Sequence, residues 1–371
     1  MQDCSGQRVV VVGGGVVGTL HAYLALRAGA EVEHLERDAA PHGATVRNFG
    51  LVWVSGRRAG AELALAQRSR DLWEEIAGEV PGVGFRANGS LTVVADGPEA
   101  DLARAALQLP DAAERGFEWR DWSEARRVNP VLEGDFAGAL WCSRDAAVES
   151  RRALGALREA MYETGRYHYS PRTDVVGVHD GGVRDHRGEF HGADRTYLCV
   201  GGPTHGVFRE MHEGVGLREV HLHMIETAPH AREVPTAVAN GDSFRYYPAF
   251  ENLRHLLSPQ ESTAAEWANQ LLVQQRLDGR LTVGDTHEVP SETEFWSSEA
   301  AYRVIEEAAA AVIGDLPAIE RRWTGIYVQI GERDDPRLYH RAEVARDVWT
   351  VTGVGGRGMT CAPAIAEESF S

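Results

Sequence analysis

A glycine-rich turn between a strand and a helix constrains this chain more than any other feature. Residues Arg8–Val12 form a β-branched run, typical of a strand buried on both faces of a parallel sheet. The turn, residues 13–18, follows directly, and a helix is predicted over 19–28. A second strand is predicted over 30–35 and ends at Glu36. The sequence therefore begins with one β-α-β unit.

Gly13, Gly15 and Gly18 match the pattern G-x-G-x-x-G in the setting that this motif requires. The first glycine makes the tight turn, the second lets backbone amides approach a pyrophosphate, and the third lets the helix pack on the strand. Val16 and Val17 lie in the turn before the predicted helix, whose N-terminus favours phosphates, and belong to the same predicted site. Glu36 lies at the spacing where a carboxylate accepts hydrogen bonds from a ribose, and Arg37 beside it belongs to the same predicted site. The motif predicts a dinucleotide without choosing between FAD and NAD.

Composition and charge exclude several classes of partner. The net charge of -17 disfavours nucleic acid, which needs basic patches, and anionic membrane surfaces. Four scattered cysteines form no CxxC pair, and no signal-like or membrane-spanning run is present, so we expect a cytoplasmic protein. His221 and His223 lack a third ligand at suitable spacing, so we expect no metal site.

The remaining segments predict an α/β protein with two discontinuous domains. Strands with alternating patterns over 217–229, 243–250 and 282–286 indicate a half-buried antiparallel sheet. We expect a Rossmann-like FAD-binding domain, with FAD rather than NAD favoured by residues 43–51 and 352–360 as described next, and an inserted α+β substrate domain built on that antiparallel sheet. The FAD-binding domain would comprise residues 1–80, 145–205 and 338–371, and the substrate domain 81–144 and 206–337.

Two further segments favour FAD. They are Gly-Ala-Thr-Val-Arg-Asn-Phe-Gly-Leu at 43–51 and Thr-Gly-Val-Gly-Gly-Arg-Gly-Met-Thr at 352–360. With these segments the chain resembles the FAD-dependent oxidoreductases that include glycine oxidase, sarcosine oxidase and the D-amino-acid dehydrogenases. The resemblance implies further contacts to FAD from the following residues: Thr45, Arg47, Asn48, Val175, Gly201, Gly202, Gly355, Gly356, Arg357, Gly358, Met359 and Thr360. Covalently flavinylated members use a cysteine near position 327; none stands here, so non-covalent FAD is implied.

A narrower resemblance concerns the substrate. Residues 47–57 are similar to a D-amino-acid-dehydrogenase-like clade associated with phosphonate metabolism, whose members oxidise aminoalkylphosphonates. Amino-acid oxidases of the family usually place a carboxylate-binding arginine where this chain has Tyr327. Cations that could hold an anionic substrate group instead are Arg57, Arg245, Arg322 and Arg357. Tyr246 or Tyr247, on a predicted strand, would face the substrate, but adjacent strand residues point to opposite faces.

The implied chemistry is hydride transfer from the nitrogen-bearing carbon of a small amine to flavin, giving an imine that water hydrolyses. No catalytic acid or base is assigned, because a neutral amine needs none. The electron acceptor, whether oxygen or a quinone, and the oligomeric state stay open. So do three alternatives: an oxidase of glycine, sarcosine or another small amino acid, a biosynthetic tailoring enzyme, and a non-catalytic flavoprotein subunit.

Overall fold

The fold is taken from a computed structural model that describes residues 2–202, 206–289, 296–331 and 335–371. In chain order the strands are β1 (Arg8–Val12), β2 (Glu31–Glu36), β3 (Leu51–Val52), β4 (Ser90–Val94), β5 (Phe117–Asp121), β6 (Gly138–Cys142), β7 (Ala146–Ala147), β8 (Tyr167–Pro171), β9 (Val175–His179), β10 (Gly182–Asp185), β11 (Phe190–Gly192), β12 (Arg195–Gly201), β13 (Leu217–Pro229), β14 (Ala237–Asn240), β15 (Leu272–Gln275), β16 (Arg280–Gly284), β17 (Ile319–Ile330), β18 (His340–Ala345) and β19 (Val348–Thr352).

The α-helices are α1 (Val16–Arg27), α2 (Ala61–Glu79), α3 (Pro98–Ala106), α4 (Ala112–Arg115), α5 (Trp122–Val128), α6 (Ser150–Tyr162), α7 (Gly206–Met211), α8 (Ser243–Tyr246), α9 (Ser262–Glu266), α10 (Glu299–Ile313) and α11 (Gly358–Glu368). Short 3-10 helices cover Ala44–Val46, Pro81–Val83, Pro248–Leu256 and Gly355–Arg357. No helix in these described ranges is long and apolar enough to cross a membrane.

A six-stranded sheet carries the predicted dinucleotide motif. Its order is β18-β19-β12-β1-β2-β8, and every pair is parallel except β18–β19. The strands β1, β2 and β12 are largely buried, which the β-branched run of β1 predicts for that strand. Helices α1, α2 and α11 pack together beside this sheet, and the indole N–H of Trp73 on α2 donates to the carbonyl of Met359 on α11 at 2.9 Å.

An eight-stranded sheet forms the second layer, in the order β17-β13-β16-β15-β14-β4-β6-β5. All its neighbouring strands are antiparallel except β14 and β4. The predicted α/β fold with an antiparallel sheet is therefore confirmed. The strands of each sheet fall within the ranges predicted for one domain, and the domain boundaries themselves stay a prediction.

One predicted strand is wrong. Residues 243–250 form the short helix α8 and the start of a 3-10 helix. The buried residues Phe244, Tyr247 and Phe250 recur every third position, which is a helical spacing rather than the alternation of a strand. Pro248 begins the 3-10 helix, where its missing N–H costs nothing.

A buried carboxylate joins the eight-stranded sheet to the loop that precedes α2. Asp145 accepts hydrogen bonds from the backbone N–H groups of Val54 and Ser55 at 2.6 and 2.9 Å. It also accepts from the hydroxyls of Ser55 and Ser90, at 2.6 and 2.7 Å, and Ser90 begins β4. The loop that carries Arg57 is thereby fixed to the eight-stranded sheet.

Candidate active site

A cavity of about 760 Å³ lies between the two sheets. From the six-stranded side it is lined by Gly13–Val17, Glu36–Asp38, Thr45, Arg47, Asn48, Thr173–Val176, Cys199–Gly202 and Gly353–Met359. From the other side it is lined by Tyr246, Tyr247, Gln270, Asp285, His287 and Tyr327, with Arg57 and Glu62 contributed by the loop before α2 and by its first turn. Its volume lies in the range of ligand and cofactor sites.

The glycine turn is shaped by close backbone approach. Gly13 has φ +108°, a conformation that L side chains rarely adopt, and a Cβ there would overlap the carbonyl of Cys199. A Cβ on Gly18 would overlap the carbonyl oxygen of Gly13, so α1 can approach β1 only with glycine at this position. Gly18 itself does not line the cavity, in keeping with its predicted packing role. The first turn of α1 therefore presents its backbone N–H groups to the cavity.

The Glu36 carboxylate is fixed at the end of β2. One oxygen accepts from the Gly14 N–H at 2.5 Å and the other from the Asp38 N–H at 2.8 Å. Each carboxylate oxygen keeps a second lone pair, so the group can still accept hydrogen bonds from a ligand. Arg37 lines the same part of the cavity and forms an ion pair with Asp38 at 3.2 Å.

The segment 45–48 mainly shapes its own loop. The Thr45 hydroxyl accepts from the Val16 N–H at 3.0 Å and joins the loop to α1. Arg47 donates to the carbonyls of His42 and Thr324 at 2.8 and 3.1 Å. The Asn48 amide donates to the Thr45 carbonyl at 2.8 Å. All three predicted residues line the cavity.

Three further residues that are predicted to contact the cofactor also lie at the cavity. Val175 lines it from the start of β9, and Gly201 and Gly202 line it at the end of β12. A Cβ on Gly202 would meet Val328 at 2.5 Å, so β12 can approach β17 here only without a side chain.

The C-terminal glycine loop ends in the N-terminus of α11. Gly355, with φ +67°, and Gly356 form the 3-10 turn, and α11 begins at Gly358. Because α11 starts at the cavity wall, its dipole places partial positive charge there. Thr360 does not line the cavity. Its buried hydroxyl accepts a hydrogen bond from the backbone N–H of Trp53 at 2.9 Å. A supporting role therefore replaces the direct cofactor contact predicted for Thr360.

Two of the four candidate cations line the cavity. The Arg357 Nε donates to the Glu62 carboxylate at 3.1 Å, and Arg57 Nη1 lies 3.7 Å from the same oxygen. Arg57 is buried and is further held by the Trp53 carbonyl at 2.8 Å. Two positive charges thus share one negative charge.

The other two cations lie elsewhere, so their prediction as candidate substrate ligands is not supported by their position. Arg245 forms an ion pair with Asp242 at 3.0 Å, and Arg322 pairs with Glu306 at 2.7 Å. Neither lines the cavity.

Three tyrosines form a cluster at the substrate side. The hydroxyls of Tyr246 and Tyr327 are 3.1 Å apart, and the rings of Tyr246 and Tyr247 meet edge to face. Both Tyr246 and Tyr247 line the cavity because α8 turns at this point, which corrects the expectation that a strand would present only one of them. Burial raises the pKa of Tyr247 and of Tyr327, so both phenols stay protonated.

A buried carboxyl group at the same end was missed by the sequence analysis. Asp285 follows β16, lines the cavity and is 5% exposed. The amide of Gln270 donates to its Oδ1 at 3.3 Å, and His287 Nε2 is 3.7 Å from its Oδ2. Burial raises the pKa of Asp285 to about 8. No motif marks this residue; an acid directly after a buried strand was the only available signal.

Among the described residues, Asp185, Glu189 and His191 have potential metal ligand atoms within 4.8 Å of one another. Asp185 Oδ1 accepts from two backbone N–H groups of its hairpin, and His191 Nδ1 lies 2.8 Å from Glu33. None of the three lines the cavity, and these contacts explain the group as an ion-pair network. The expected absence of a metal site stays a prediction.

The glycine turn, the six-stranded sheet and the cavity together define a dinucleotide-binding fold. The family model described as FAD dependent oxidoreductase matches residues 8–369, and the chain belongs to this family. The expectations of FAD and of an oxidoreductase for carbon–nitrogen donors are thus confirmed at the level of the family.

Relatives differ in how much of their length is matched. Glycine oxidase of Pseudomonas aeruginosa is 25% identical over 96% of this chain and 92% of its own length. A subunit of opine oxidase from Rhizobium meliloti is 27% identical, but the match covers 44% of this chain and only 47% of that protein. The structure of glycine oxidase from Bacillus cereus superposes with a TM-score of 0.78 at 15% identity, covering 98% of this chain and 93% of that one.

Proposed function

We propose that this protein oxidises a carbon–nitrogen bond in a small amine that carries an anionic group, with an aminoalkylphosphonate or its N-methyl derivative as substrate. The observation that carries the proposal is the pair Arg57 and Arg357 at the cavity wall, together with Tyr327 where the family's amino-acid oxidases have a carboxylate-binding arginine.

In this proposal FAD would occupy the cavity along the residues that the sequence predicts for it. The N-terminus of α1 would bind the pyrophosphate, Glu36 a ribose, and Val175 the adenine side. The loop 355–359 would lie against the flavin ring, where the start of α11 favours negative charge. When bound, FAD supplies the hydride-accepting chemistry.

Non-covalent binding is part of the proposal. The four cysteines are buried, and only Cys199, at the glycine turn, lines the cavity. FAD should therefore leave the protein on acid or heat denaturation.

The charge balance of the cavity wall favours an anionic substrate group. Arg57 and Arg357 share the single carboxylate of Glu62, which leaves one positive charge in excess. A phosphonate is bulkier than a carboxylate and carries up to two charges, so it suits donors spread in space better than one bidentate arginine. Each charge-assisted bond contributes about 1.5–3 kcal/mol, so two such contacts would give a preference of about a hundredfold or more.

A second candidate is an amino-acid oxidase of the glycine or sarcosine type. It is favoured by the nearly full-length match to glycine oxidase. Two relatives, one from opine oxidase and one from hydrogen cyanide synthase, are named as subunits, which also keeps open a role within a larger complex.

Steady-state kinetics on a matched panel test the proposal. We expect kcat/KM for aminoalkylphosphonates to exceed that for glycine, sarcosine and D-alanine. Arg357→Ala should lower kcat/KM much more for the phosphonate than for a neutral amine. Equal or better turnover of glycine or sarcosine would overturn the phosphonate assignment and leave the amino-acid alternative.

A further inference from the structure

Asp285 is a buried carboxyl group inside the substrate end of the cavity. Its backbone is fixed on both sides, because its N–H and carbonyl pair with Gln270 at 2.8 and 3.1 Å. Its carbonyl also accepts from the Asn269 amide at 3.1 Å. The backbone that carries the side chain is therefore held in place at the strand end.

The surroundings of this carboxyl group do not neutralise a negative charge. Gln270 is neutral and donates only one long hydrogen bond. His287 packs against the Tyr246 ring, with 3.8 Å between the ring centroids. Its Nε2 is 3.7 Å from Oδ2 of Asp285. Burial, and also the negative charge of Asp285, raise the pKa of Tyr247 and of Tyr327. Both phenols near the carboxyl group are therefore protonated and neutral. Nor do the salt bridges of the described residues include one between Asp285 and an arginine.

Burying a carboxyl group without an arginine partner is costly, and such groups are concentrated at functional sites. Arg57 and Arg357, the two candidate substrate cations at the cavity, are bound to Glu62 instead. The cavity therefore contains a pair of cations, Arg57 and Arg357, that can bind an anion. It also contains a separate acid, Asp285, that can bind a cation.

We infer that Asp285 binds the nitrogen of the substrate and accepts its proton. The inference rests on the proposed oxidation of an amine and adds the group that the nitrogen meets. The substrate class that fits both ends is a short zwitterion with an ammonium at Asp285 and an anion at Arg57 and Arg357.

The proton balance is simple. An amine arrives mainly as its ammonium form, which has no lone pair to assist loss of hydride. When Asp285 is a carboxylate, an N–H bond of the ammonium breaks, an O–H bond forms on Asp285, and the lone pair stays on nitrogen. Because the pKa of Asp285 is raised towards that of an amine, this transfer is nearly balanced in free energy.

The binding test uses two isosteric ligands that cannot be oxidised. One is 2-amino-2-methylpropylphosphonate, whose nitrogen-bearing carbon has no hydrogen, and the other is 2,2-dimethylpropylphosphonate, in which a methyl group replaces the amine. Asp285→Asn in the FAD-loaded protein should lower affinity for the first about tenfold or more and leave affinity for the second unchanged. Asp285→Ser, which also lacks the carboxylate, is the second variant if the first does not fold. Asp278→Asn, at the other end of β16, is the matched control.

Calorimetry in buffers of different ionisation enthalpy measures how many protons are released when a ligand binds. This number would not change if Asp285 had only a structural role. At pH 7 the wild-type protein should release a proton when the amine ligand binds, because a protonated Asp285 becomes paired with an ammonium. Neither Asp285 variant should do so. Equal affinity and equal proton release in wild type and variants would overturn the inference.

Turnover separates this inference from the proposed function. Asp285→Asn should lower kcat/KM by about a hundredfold on whichever amine the wild-type protein oxidises fastest. If that amine is glycine or sarcosine, the phosphonate assignment is wrong while Asp285 is still tested on it. If an aminoalkylphosphonate is preferred and Asp285→Asn turns it over normally, the proposed function stands and the role of Asp285 is wrong.

Discussion

At the end of β2, the Glu36 carboxylate has two roles, one in holding the backbone around it and one at the cavity. It accepts from the N–H groups of Gly14 and Asp38, and it lines the cavity where a ribose would lie. The first role uses one lone pair on each carboxylate oxygen, and the second would use the lone pairs that remain.

Glu36→Arg should abolish FAD binding with little change in secondary structure. It replaces an acceptor with a donor and places positive charge at the expected ribose site, a loss of about 1–3 kcal/mol or more. Glu36→Gln, which keeps one acceptor, should retain more FAD. The measurement is flavin content at limiting cofactor, with circular dichroism as the control. Full FAD occupancy in Glu36→Arg would show that Glu36 is not the ribose ligand.

Thr360→Val tests whether Thr360 supports the loop rather than the cofactor. Valine is nearly isosteric but leaves the buried Trp53 N–H without its acceptor, so we expect a loss of about 1–3 kcal/mol in the free energy of unfolding. FAD content should stay normal. Loss of FAD with unchanged stability would restore a direct cofactor contact for Thr360.

Single residues were predictable only where a motif fixes their backbone. The placement of Glu36 and Gly18 follows from the turn and the helix beside it, and both lie where the motif predicts. Asp285 and Gln270 belong to a loop pair whose meeting depends on the register of β15 and β16, which the sequence does not specify. Tyr247 was predicted at the cavity, but on a strand that the structure replaces with a helical turn.

At the scale of elements, the position of α1 depends on the absence of a side chain on Gly18. Gly18→Ala should move α1 away from β1, because the new Cβ would overlap the Gly13 carbonyl. We expect loss of FAD and a lower Tm. Gly155→Ala is the matched control on α6: nothing lies within 4 Å of its Cβ, and helix propensity favours alanine by about 1 kcal/mol. Normal FAD content in Gly18→Ala would contradict the packing role.

Elements with a strong period were well predicted. The strand Leu217–Pro229 has the predicted bounds. Helix α1 begins at Val16, three residues before its predicted start, because the glycine turn itself completes the first helical turn. The failure at 243–250 arose where a three-residue spacing of aromatics was taken for alternation.

At the scale of the whole molecule, a buried acid should make stability depend on pH. The pKa of Asp285 is about 8 in the folded protein and near its ordinary value when unfolded, so between these values the folded state binds the extra proton. Stability then falls as pH rises through this window, by up to about 1.4 kcal/mol per pH unit, and the effect ends above the folded pKa.

Asp285→Asn removes this titration. The Tm of the variant relative to wild type should therefore be higher at pH 8 than at pH 5, with Asp278→Asn as the control. A difference in Tm that is the same at both pH values would show that Asp285 has an ordinary pKa.

The arrangement of the molecule was partly readable from the order of its motifs. The first and last motifs each follow a strand of the six-stranded sheet. Each also precedes a helix that starts at the cavity. The sequence did not reveal that Arg57 and Arg357, 300 positions apart by their numbers, share Glu62, since that contact depends on how α2 packs on α11.

Anaerobic mixing of the FAD-loaded protein with an aminoalkylphosphonate tests the central claim most directly. The account predicts that the flavin is bleached, that one carbonyl product and one ammonia form for each flavin reduced, and that glycine and sarcosine react more slowly. A flavin that stays oxidised with every amine tried would contradict amine oxidation itself.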